Sequence, residues 1–387
     1  MIEIQDYRLS ERTARSVITS WWLAETHIVD HFARVGFPVR IESVHEVGQL
    51  LDTMQEKRFE RFLTELGGLS PEDAEKYLWA LTQAVKFQLA HLQKRQPIVP
   101  FSTMLSSLAL YKKIIGFKAD VETVLEVGPG CGYLSFFLSQ HGSLKRYDQV
   151  EACESFYVLQ SMINAFLFGH EFRDLAIATV KDQAIMVRND VELPFLLSED
   201  SVPAAKSVHF PWWKLRTLFA DKHRYDVVTS NANLNEFTKN ALHDYLTIFR
   251  DVMKNDGIFL VQCTGFPAHG TLDTLFDTLY EFRFAPLFCG LADENVGTSR
   301  PSFTKNYVGY GCDKKSFVLN NLVMVREGHS LFAGSYDRRN YRHGYAADFP
   351  KLASIYRSNV NGKHYTKPDL VSALLMQLTG HGMRANA

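Results

Sequence analysis

Apolar residues recur at helical spacing through the first part of the chain. From Ser10 to Phe32 they return every three or four residues, which is typical of a helix that buries one face. A second helix is predicted from Ser70, where a capping serine, a proline and two acidic residues precede another apolar stripe. A third is predicted from Ser102 to about Ile115. Residues 1–118 are therefore predicted to form a helical N-terminal cap. Homo-oligomerisation is expected to occur through this helical region.

From Val121 the pattern changes to short β-branched runs that alternate with helical stretches, which favours an α/β fold with a parallel sheet covered on both faces. Strands are predicted at residues 123–127, 147–150, 207–210, 225–230, 257–263, 284–289 and 317–326. The unusually long stretch from about 170 to 205 is interpreted as an insertion or a hairpin. We assign residues 119–330 to a ligand-binding α/β domain and residues 331–387 to a C-terminal extension.

Composition narrows the function classes. The 387 residues carry a net charge of −1, and the sequence pI is about 6.9, so a nucleic-acid partner is not expected. No apolar run is long enough to span a bilayer and no leader pattern opens the sequence, which favours a cytoplasmic location. The five cysteines are scattered and never closely paired, so no metal site is expected, and Cys131 is interpreted as a small buried residue.

The segment from Val124 to Ser135 carries the strongest functional signal. It is an apolar strand followed by Gly128, Gly130 and Gly132 and then by a predicted helix. Glycines at this point let the backbone turn sharply and approach a ligand that a Cβ atom would obstruct. The pattern therefore predicts a crevice for a nucleoside-bearing ligand.

Two acids sharpen this prediction. Glu126 lies two residues before the first glycine, and Glu151 ends the next predicted strand. A carboxylate at the second position can accept both hydroxyl protons of a ribose. An acid at the first position suits a ligand that carries an ammonium group, which NAD lacks.

With these residues the sequence resembles the class I S-adenosylmethionine (SAM)-dependent methyltransferases over about residues 120–330. The resemblance implies a Rossmann-like, seven-stranded sheet and SAM as the cofactor. It also implies that Glu126 and the three glycines lie at the methionine end of SAM and that Glu151 binds the ribose, with Glu154 as a weaker substitute. Trp212 or Trp213 would then stack on the adenine or belong to the core.

The segment from Ser230 to Phe237 resembles more narrowly the loop after the fourth strand in bacterial sugar O-methyltransferases. This resemblance implies a small-molecule acceptor such as a nucleotide sugar or a glycan. Asn231, which ends the fourth predicted strand, is assigned to the cofactor site, and Asn233 is expected to orient the acceptor.

A hydroxyl acceptor must lose its proton during methyl transfer. Glu236 and His243 are the candidate general bases because they lie in and just after this loop. His209 and His269 are weaker alternatives near other strand ends.

Several alternatives remain open at this point. An NAD-dependent oxidoreductase shares the glycine turn, although no dehydrogenase catalytic set is recognisable. A non-catalytic SAM-binding scaffold would keep the same glycines and acids. Transfer to nitrogen or carbon would also leave the cofactor half of the site unchanged.

Overall fold

The computed structural model describes most of the chain. The described residues are 3–17, 38–55, 58–176, 203–220, 222, 224–231, 233–234, 236–263, 272–291, 300–302, 319–332, 336 and 361–379. His269 and most of the predicted insertion, from residue 177 to residue 202, lie outside them.

The N-terminal region is helical, as the apolar spacing predicts. Its described helices are α1 Ile4–Val17, α2 Val44–Thr53, α3 Phe59–Leu66, α4 Pro71–His91 and α5 Phe101–Phe117. Helix α1 begins six residues before the predicted start at Ser10, and the predicted stripe beyond Val17 is outside the described residues. The predicted cap of α4 is confirmed, because the Asp73 N–H donates to Ser70 Oγ at 3.1 Å.

Most of the sheet has the order of a Rossmann-like fold. Its strands are β1 Thr123–Val127, β2 Arg146–Glu151, β3 Phe172–Asp174, β4 Ser207–Pro211, β5 Tyr225–Asn231, β6 Met253–Cys263, β7 Phe284–Leu291, β8 Arg300–Ser302 and β9 Leu319–Arg326. They are arranged as β3-β4-β2-β1-β5-β6-β9-β7-β8. Across the sheet, the six neighbouring strands β3, β4, β2, β1, β5 and β6 are parallel. Strand β9 runs antiparallel to both of its neighbours, β6 and β7.

The described strands number nine instead of the expected seven. The two additional ones, β3 and β8, are each three residues long and lie at opposite edges of the sheet. The beginning of the predicted insertion is thus a parallel edge strand and not one arm of a hairpin with β4. Three residues bury too little apolar surface to leave a periodic signal in the sequence.

Helices cover both faces of the sheet, as the alternating pattern predicts. The remaining described helices are α6 Leu134–Leu138, α7 Glu154–Phe168, α8 Lys239–Val252, α9 Leu272–Glu281 and α10 Lys367–Leu378. One apolar core joins the sheet to α6, α7, α10 and the N-terminal helices α2–α5, and a second lies between the sheet and α8 and α9. The division of the chain into cap, central domain and extension stays a prediction.

This topology places the predicted cofactor-binding residues at the carboxyl ends of the parallel strands. Strand β1 lies between β2 and β5, so the order of the strands reverses beside it. Ligands of open α/β sheets bind outside the carboxyl ends of the strands at such a reversal. The glycine loop, Glu151 and Asn231 all follow or end strands at this carboxyl edge.

Candidate nucleoside site at the carboxyl edge of the sheet

The glycine loop has the left-handed backbone that its residues allow. Gly128, Gly130 and Gly132 have φ values of +64°, +58° and +70°. A Cβ atom on Gly130 would meet no atom of the described residues within 4 Å, so this glycine faces open space at the end of β1 as far as these residues extend. The loop therefore leaves room where a ligand would contact the backbone.

The loop after β5 is packed onto the end of β1. Asn233 Nδ2 donates to the Val127 carbonyl at 2.9 Å, and its Oδ1 accepts from the Ser230 hydroxyl. A Cβ atom on Gly128 would lie 2.1 Å from Asn233 Nδ2. Gly128 is thus needed for this contact, and Asn233 holds the two loops together in addition to any role with an acceptor.

Glu151 ends β2 and is held in place by three hydrogen bonds. Its Oε1 accepts from the N–H groups of Ala152 and Cys153 at 2.8 and 3.0 Å, and its Oε2 accepts from Gln160 Nε2 at 3.0 Å. Burial raises the pKa of Glu151 above its ordinary value, although these hydrogen bonds oppose the effect. One acceptor position remains on Oε2 if each carboxylate oxygen accepts two hydrogen bonds.

Gln160 is a site residue that the sequence reasoning missed. The same Nε2 that donates to Glu151 also donates to the Gly130 carbonyl at 2.6 Å, so one side chain joins the glycine loop to the acid. Its Oε1 is buried without a partner in the described part of the chain. A sequence signal exists, because Gln160, Ser161 and Asn164 are polar residues that interrupt the apolar part of helix α7 after its first turn.

Glu126 lies beneath the loop in a polar network. Its carboxylate accepts from the Tyr147 hydroxyl, which also accepts from Gln149 Nε2. Burial, opposed by these hydrogen bonds and reinforced by the Glu151 charge, raises the pKa of Glu126 to about 7. Only 2% of Glu126 is exposed, so its carboxylate is shielded from solvent.

Glu154 has a different role from Glu151, three residues before it. The Glu154 carboxylate accepts from Arg8 Nη2 at 2.9 Å, from Arg40 Nη1 at 2.5 Å and from the Ile41 N–H at 3.0 Å. Burial alone would raise the pKa of Glu154, but these contacts outweigh it and lower the pKa. Glu154 therefore fastens the N-terminal segment to the start of α7 and does not substitute for Glu151.

The two candidate bases lie in different surroundings. The Glu236 N–H donates to the Asn233 carbonyl at 2.9 Å, which places half-buried Glu236 in the loop packed on β1. The His243 ring lies edge-on to Phe282, with centroids 5.1 Å apart. Phe282 precedes β7 at the amino edge of the sheet, so this contact directs His243 away from the glycine loop. Asn231 is half-buried at the end of β5, beside the loop.

His209 and the two tryptophans are core residues. His209 Nδ1 lies 2.9 Å from Ser161 Oγ, its ring stacks on Tyr157 at 3.9 Å, and burial lowers its pKa to about 3. Trp212 and Trp213 are 4% and 3% exposed in an aromatic cluster beside the carboxyl end of β4. Cys131 is likewise buried, as expected.

Among the described residues, no three histidine, cysteine or acidic side chains are grouped to hold a metal ion. No helix in the described ranges combines the length and apolar character needed to cross a membrane.

Comparisons with known proteins give matches of fold only. No family model matches the chain, and no curated protein matches it. The [4+2]-cyclase SpnF matches with 11% identity and a TM-score of 0.31, over 48% of this chain and 59% of its own. A TehB-like SAM-dependent methyltransferase from Corynebacterium glutamicum matches with 9% identity and a TM-score of 0.32, over 56% of this chain and 88% of its own.

A third match is an O-methyltransferase family protein from Burkholderia thailandensis, with 12% identity and a TM-score of 0.33, over 58% of this chain and 57% of its own. The chain thus spans less than two thirds of this protein and of SpnF. At these TM-scores the matches carry no functional argument. The chemistry of the site has to be argued from its own residues.

Proposed function

We propose that this chain is a SAM-dependent methyltransferase. The observation that carries the proposal is the pairing of an open glycine loop with two buried acids that lack cationic partners. Glu126 and Glu151 are hydrogen-bonded by neutral groups, and neither forms an ion pair with a lysine or arginine within the described residues. A ligand with a positive charge and a ribose complements this arrangement.

Glu126 disfavours a dinucleotide, whereas Glu151 would suit the ribose of either ligand. The two phosphates of NAD would approach the loop that follows Glu126, and like charges in a poorly solvated site repel. The sheet also departs from the dinucleotide-binding order after β6, because antiparallel β9 lies where the next parallel strand would be. Both features support SAM over NAD.

Bound SAM would supply an activated methyl group on a sulfonium. Glu151 would accept from one ribose hydroxyl, the backbone of Gly130 would approach the ligand, and Glu126 would stabilise positive charge near the methionine end. The enzyme's main task would then be to align the acceptor with the methyl group and to exclude water.

The proposed acceptor is a hydroxyl group of a sugar or another small molecule, such as a nucleotide sugar or a glycan. Methyl transfer to such a group would require the removal of its proton. Glu236 would take the hydroxyl proton because it lies in the loop packed on β1. His243 is the second candidate. Assembly through the N-terminal helices and a cytoplasmic location also remain proposals.

Calorimetric titration of the full chain with SAM, S-adenosylhomocysteine (SAH) and NAD tests the cofactor assignment. Micromolar binding of the two sulfur nucleosides with weaker binding of NAD is expected. A preference for NAD, or no binding of SAM and SAH, would overturn the proposal. A chain that binds SAM but methylates no acceptor in a mass-spectrometric screen that starts with nucleotide sugars would contradict the proposed acceptor class.

A test of Glu236 as the general base must measure cofactor affinity and kcat separately. Glu236→Gln is expected to lower kcat about 100-fold or more while SAH affinity stays near that of the parent. His243→Asn serves as the comparison and is expected to have the smaller effect on kcat. A larger loss in His243→Asn would reverse the assignment.

A further inference from the structure

Gln160 of α7 contacts both the glycine loop and Glu151 with one amide group. Its Nε2 donates to the Gly130 carbonyl at 2.6 Å and to Glu151 Oε2 at 3.0 Å. A Cβ atom on Gly132 would lie 3.1 Å from Gln160 Cγ, so the third glycine of the loop allows this side chain to approach. Gln160 thus packs against the loop and is hydrogen-bonded to the acid at the end of β2.

The orientation of this amide is set by its two neighbours. A carbonyl oxygen and an ionised carboxylate only accept hydrogen bonds, so the nitrogen of Gln160 must face both. Its Oε1 is then buried without a partner among the described residues, and the whole residue is 0% exposed. Native proteins leave few buried acceptors unpaired. The amide is therefore held in the orientation that serves the loop and the acid, although its own oxygen stays unpaired.

Gln88 of α4 is a buried glutamine with a purely structural arrangement. It is 1% exposed, its Nε2 donates to the Ile98 carbonyl at 2.7 Å, and its Oε1 accepts from the Ile98 N–H at 2.9 Å. Both ends of the Gln88 amide are thus satisfied within the chain. The contrast favours a functional reason for the one-sided bonding of Gln160.

The hydrogen bond from Gln160 also limits what Glu151 can accept. The N–H groups of Ala152 and Cys153 occupy Oε1, and Gln160 occupies one of the two acceptor positions of Oε2. The position that remains for a ligand is therefore defined by where Gln160 lies.

We infer that Gln160 is a positioning residue that couples the glycine loop to Glu151 and directs one acceptor position of this carboxylate toward a ligand hydroxyl. It acts through these two groups and needs no contact with the ligand. The inference rests on the proposed nucleoside-bearing cofactor. It adds to the site a residue that belongs neither to the glycine loop nor to the end of a strand.

Gln160→Met removes the amide and keeps a side chain of similar length. The variant is expected to bind SAH and adenosine about tenfold more weakly, because the carboxylate and the loop are no longer held in one arrangement. Calorimetric titration of the full chain measures both affinities.

A double-mutant cycle separates positioning from a general loss of structure. In the parent, Glu151→Gln is expected to lower SAH affinity about 100-fold. In Gln160→Met the same change should lower it only about tenfold, because the carboxylate has already lost its binding orientation. Losses that simply multiply would overturn the coupling.

The pH profile of SAH affinity is a second readout. Burial raises the pKa of Glu151, and hydrogen bonds from Cys153, Gln160 and Ala152 lower it in part. Binding needs the ionised acid, so affinity falls as the pH drops through this pKa. Because Gln160→Met removes one of the bonds that favour ionisation, the fall should occur at higher pH in the variant. An unshifted profile would overturn the effect of Gln160 on the carboxylate.

Other ionisable groups respond to the charge of Glu151 and must be considered in that profile. Their pKa values are raised chiefly by burial and further by the Glu151 charge, and they are Glu126, Cys153, Tyr7 and Tyr245. All four are present in both proteins. The difference between the two profiles therefore reports on Glu151.

Gln88→Met is the matched control. It removes a buried amide of the same size from the N-terminal helices, so it is expected to lower the melting temperature and to leave the affinity for SAH and its pH profile unchanged. An equal loss of SAH affinity in Gln88→Met and Gln160→Met would reduce the effect to lost stability and overturn the positioning role.

The outcomes separate this inference from the proposed function. Unchanged SAH affinity in Gln160→Met, with tight binding by the parent, would overturn the role of Gln160 and leave the methyltransferase proposal intact. A parent that binds adenosine but neither SAM nor SAH, and gives the same cycle with adenosine, would support the coupling and overturn the methyltransferase. A parent that binds none of these nucleosides would overturn both.

Discussion

Buried acids at the amino and carboxyl ends of the parallel strands differ in their ion pairing and in the direction of their pKa shift. At the amino edge, Asp226 accepts from the N–H groups of Glu122 and Thr123 and forms an ion pair with Lys254 at 2.7 Å. Burial opposes ionisation there, but these contacts outweigh it and the pKa of Asp226 is lowered. At the carboxyl edge, Glu151 forms no ion pair with a lysine or arginine of the described residues. Burial therefore raises its pKa.

The difference separates an acid that holds the fold together from an acid that is available to a ligand. An ion pair satisfies Asp226 within the chain, so nothing further is needed to explain its charge. Glu151 keeps the cost of burial without a cation to offset it, which is a property that clusters at functional sites. The open space at Gly130 and the buried Oε1 of Gln160, which has no partner among the described residues, lie at the same carboxyl edge.

Paired variants of Glu151 and Glu154 give the largest expected contrast. Glu151→Gln is expected to lower SAH affinity about 100-fold, because the charged acceptor of a ribose hydroxyl becomes neutral. Its stability without ligand should be unchanged or higher. Glu154→Gln should instead lower the free energy of unfolding by about 3 kcal/mol, since it leaves arginines partly unpaired. Calorimetry and urea denaturation measure the two effects, and a reversed pattern would contradict the comparison.

Glu126→Gln tests the second uncompensated acid through pH. The folded-state pKa of Glu126 is about 7 against an ordinary value of 4.5, so its contribution to stability is present below 4.5 and is lost as the pH rises through 7. Glutamine does not ionise, so the variant lacks this pH-dependent loss of stability. The stability of Glu126→Gln relative to the parent is therefore expected to rise by about 3 kcal/mol from acid to mildly alkaline pH.

Glu72→Gln is a control of opposite sign for that measurement. Its hydrogen bond and ion pair with Lys76 lower the pKa of Glu72, so the contribution of Glu72 is present above the ordinary pKa and is lost on acidification. The relative stability of Glu72→Gln should fall slightly as the pH rises. Parallel pH profiles for the two variants would contradict the burial assigned to Glu126.

Gly130→Ala and Gly169→Ala separate ligand contact from backbone strain, with the smallest expected effect. Both glycines have positive φ, +58° and +55°, and a Cβ atom on either would meet nothing within 4 Å. Gly130→Ala should lose stability by about 1–2 kcal/mol, and Gly169→Ala at least as much, because its ψ of −123° lies in a region that strongly favours glycine. Only Gly130→Ala is expected also to lose SAH affinity, about tenfold, by calorimetry. Equal affinities would place the ligand away from the glycine loop.

The sequence predicts the elements better than the contacts between them. The predicted bounds of β1 agree with the structure, and those of β2, β4 and β5 differ by one residue at one or both ends, because apolar runs and turns are local signals. Gln160 could not be assigned from the glycine motif, since its hydrogen bond to Gly130 joins residues that only the fold brings together.

The ionic cluster around Glu154 shows the same limit. Resemblance offered Glu154 as a substitute for Glu151, and only the folded positions of Arg8 and Arg40 assign it a structural role. Likewise, Tyr7 is one aromatic residue among many in the sequence. Only the folded structure shows that its hydroxyl is buried without a hydrogen-bond partner among the described residues.

Amide hydrogen exchange of the full chain with and without SAH tests the central claim most directly. Bound ligand should slow exchange at Gly130, Gly132 and Cys153 beyond the general slowing that any stabilising ligand causes. The amides of Glu122 and Thr123, which bind Asp226 at the amino edge, should show only the general effect. Strong local protection at the amino edge, or none at the glycine loop with SAH saturating, would contradict the assignment of the carboxyl edge as the ligand site.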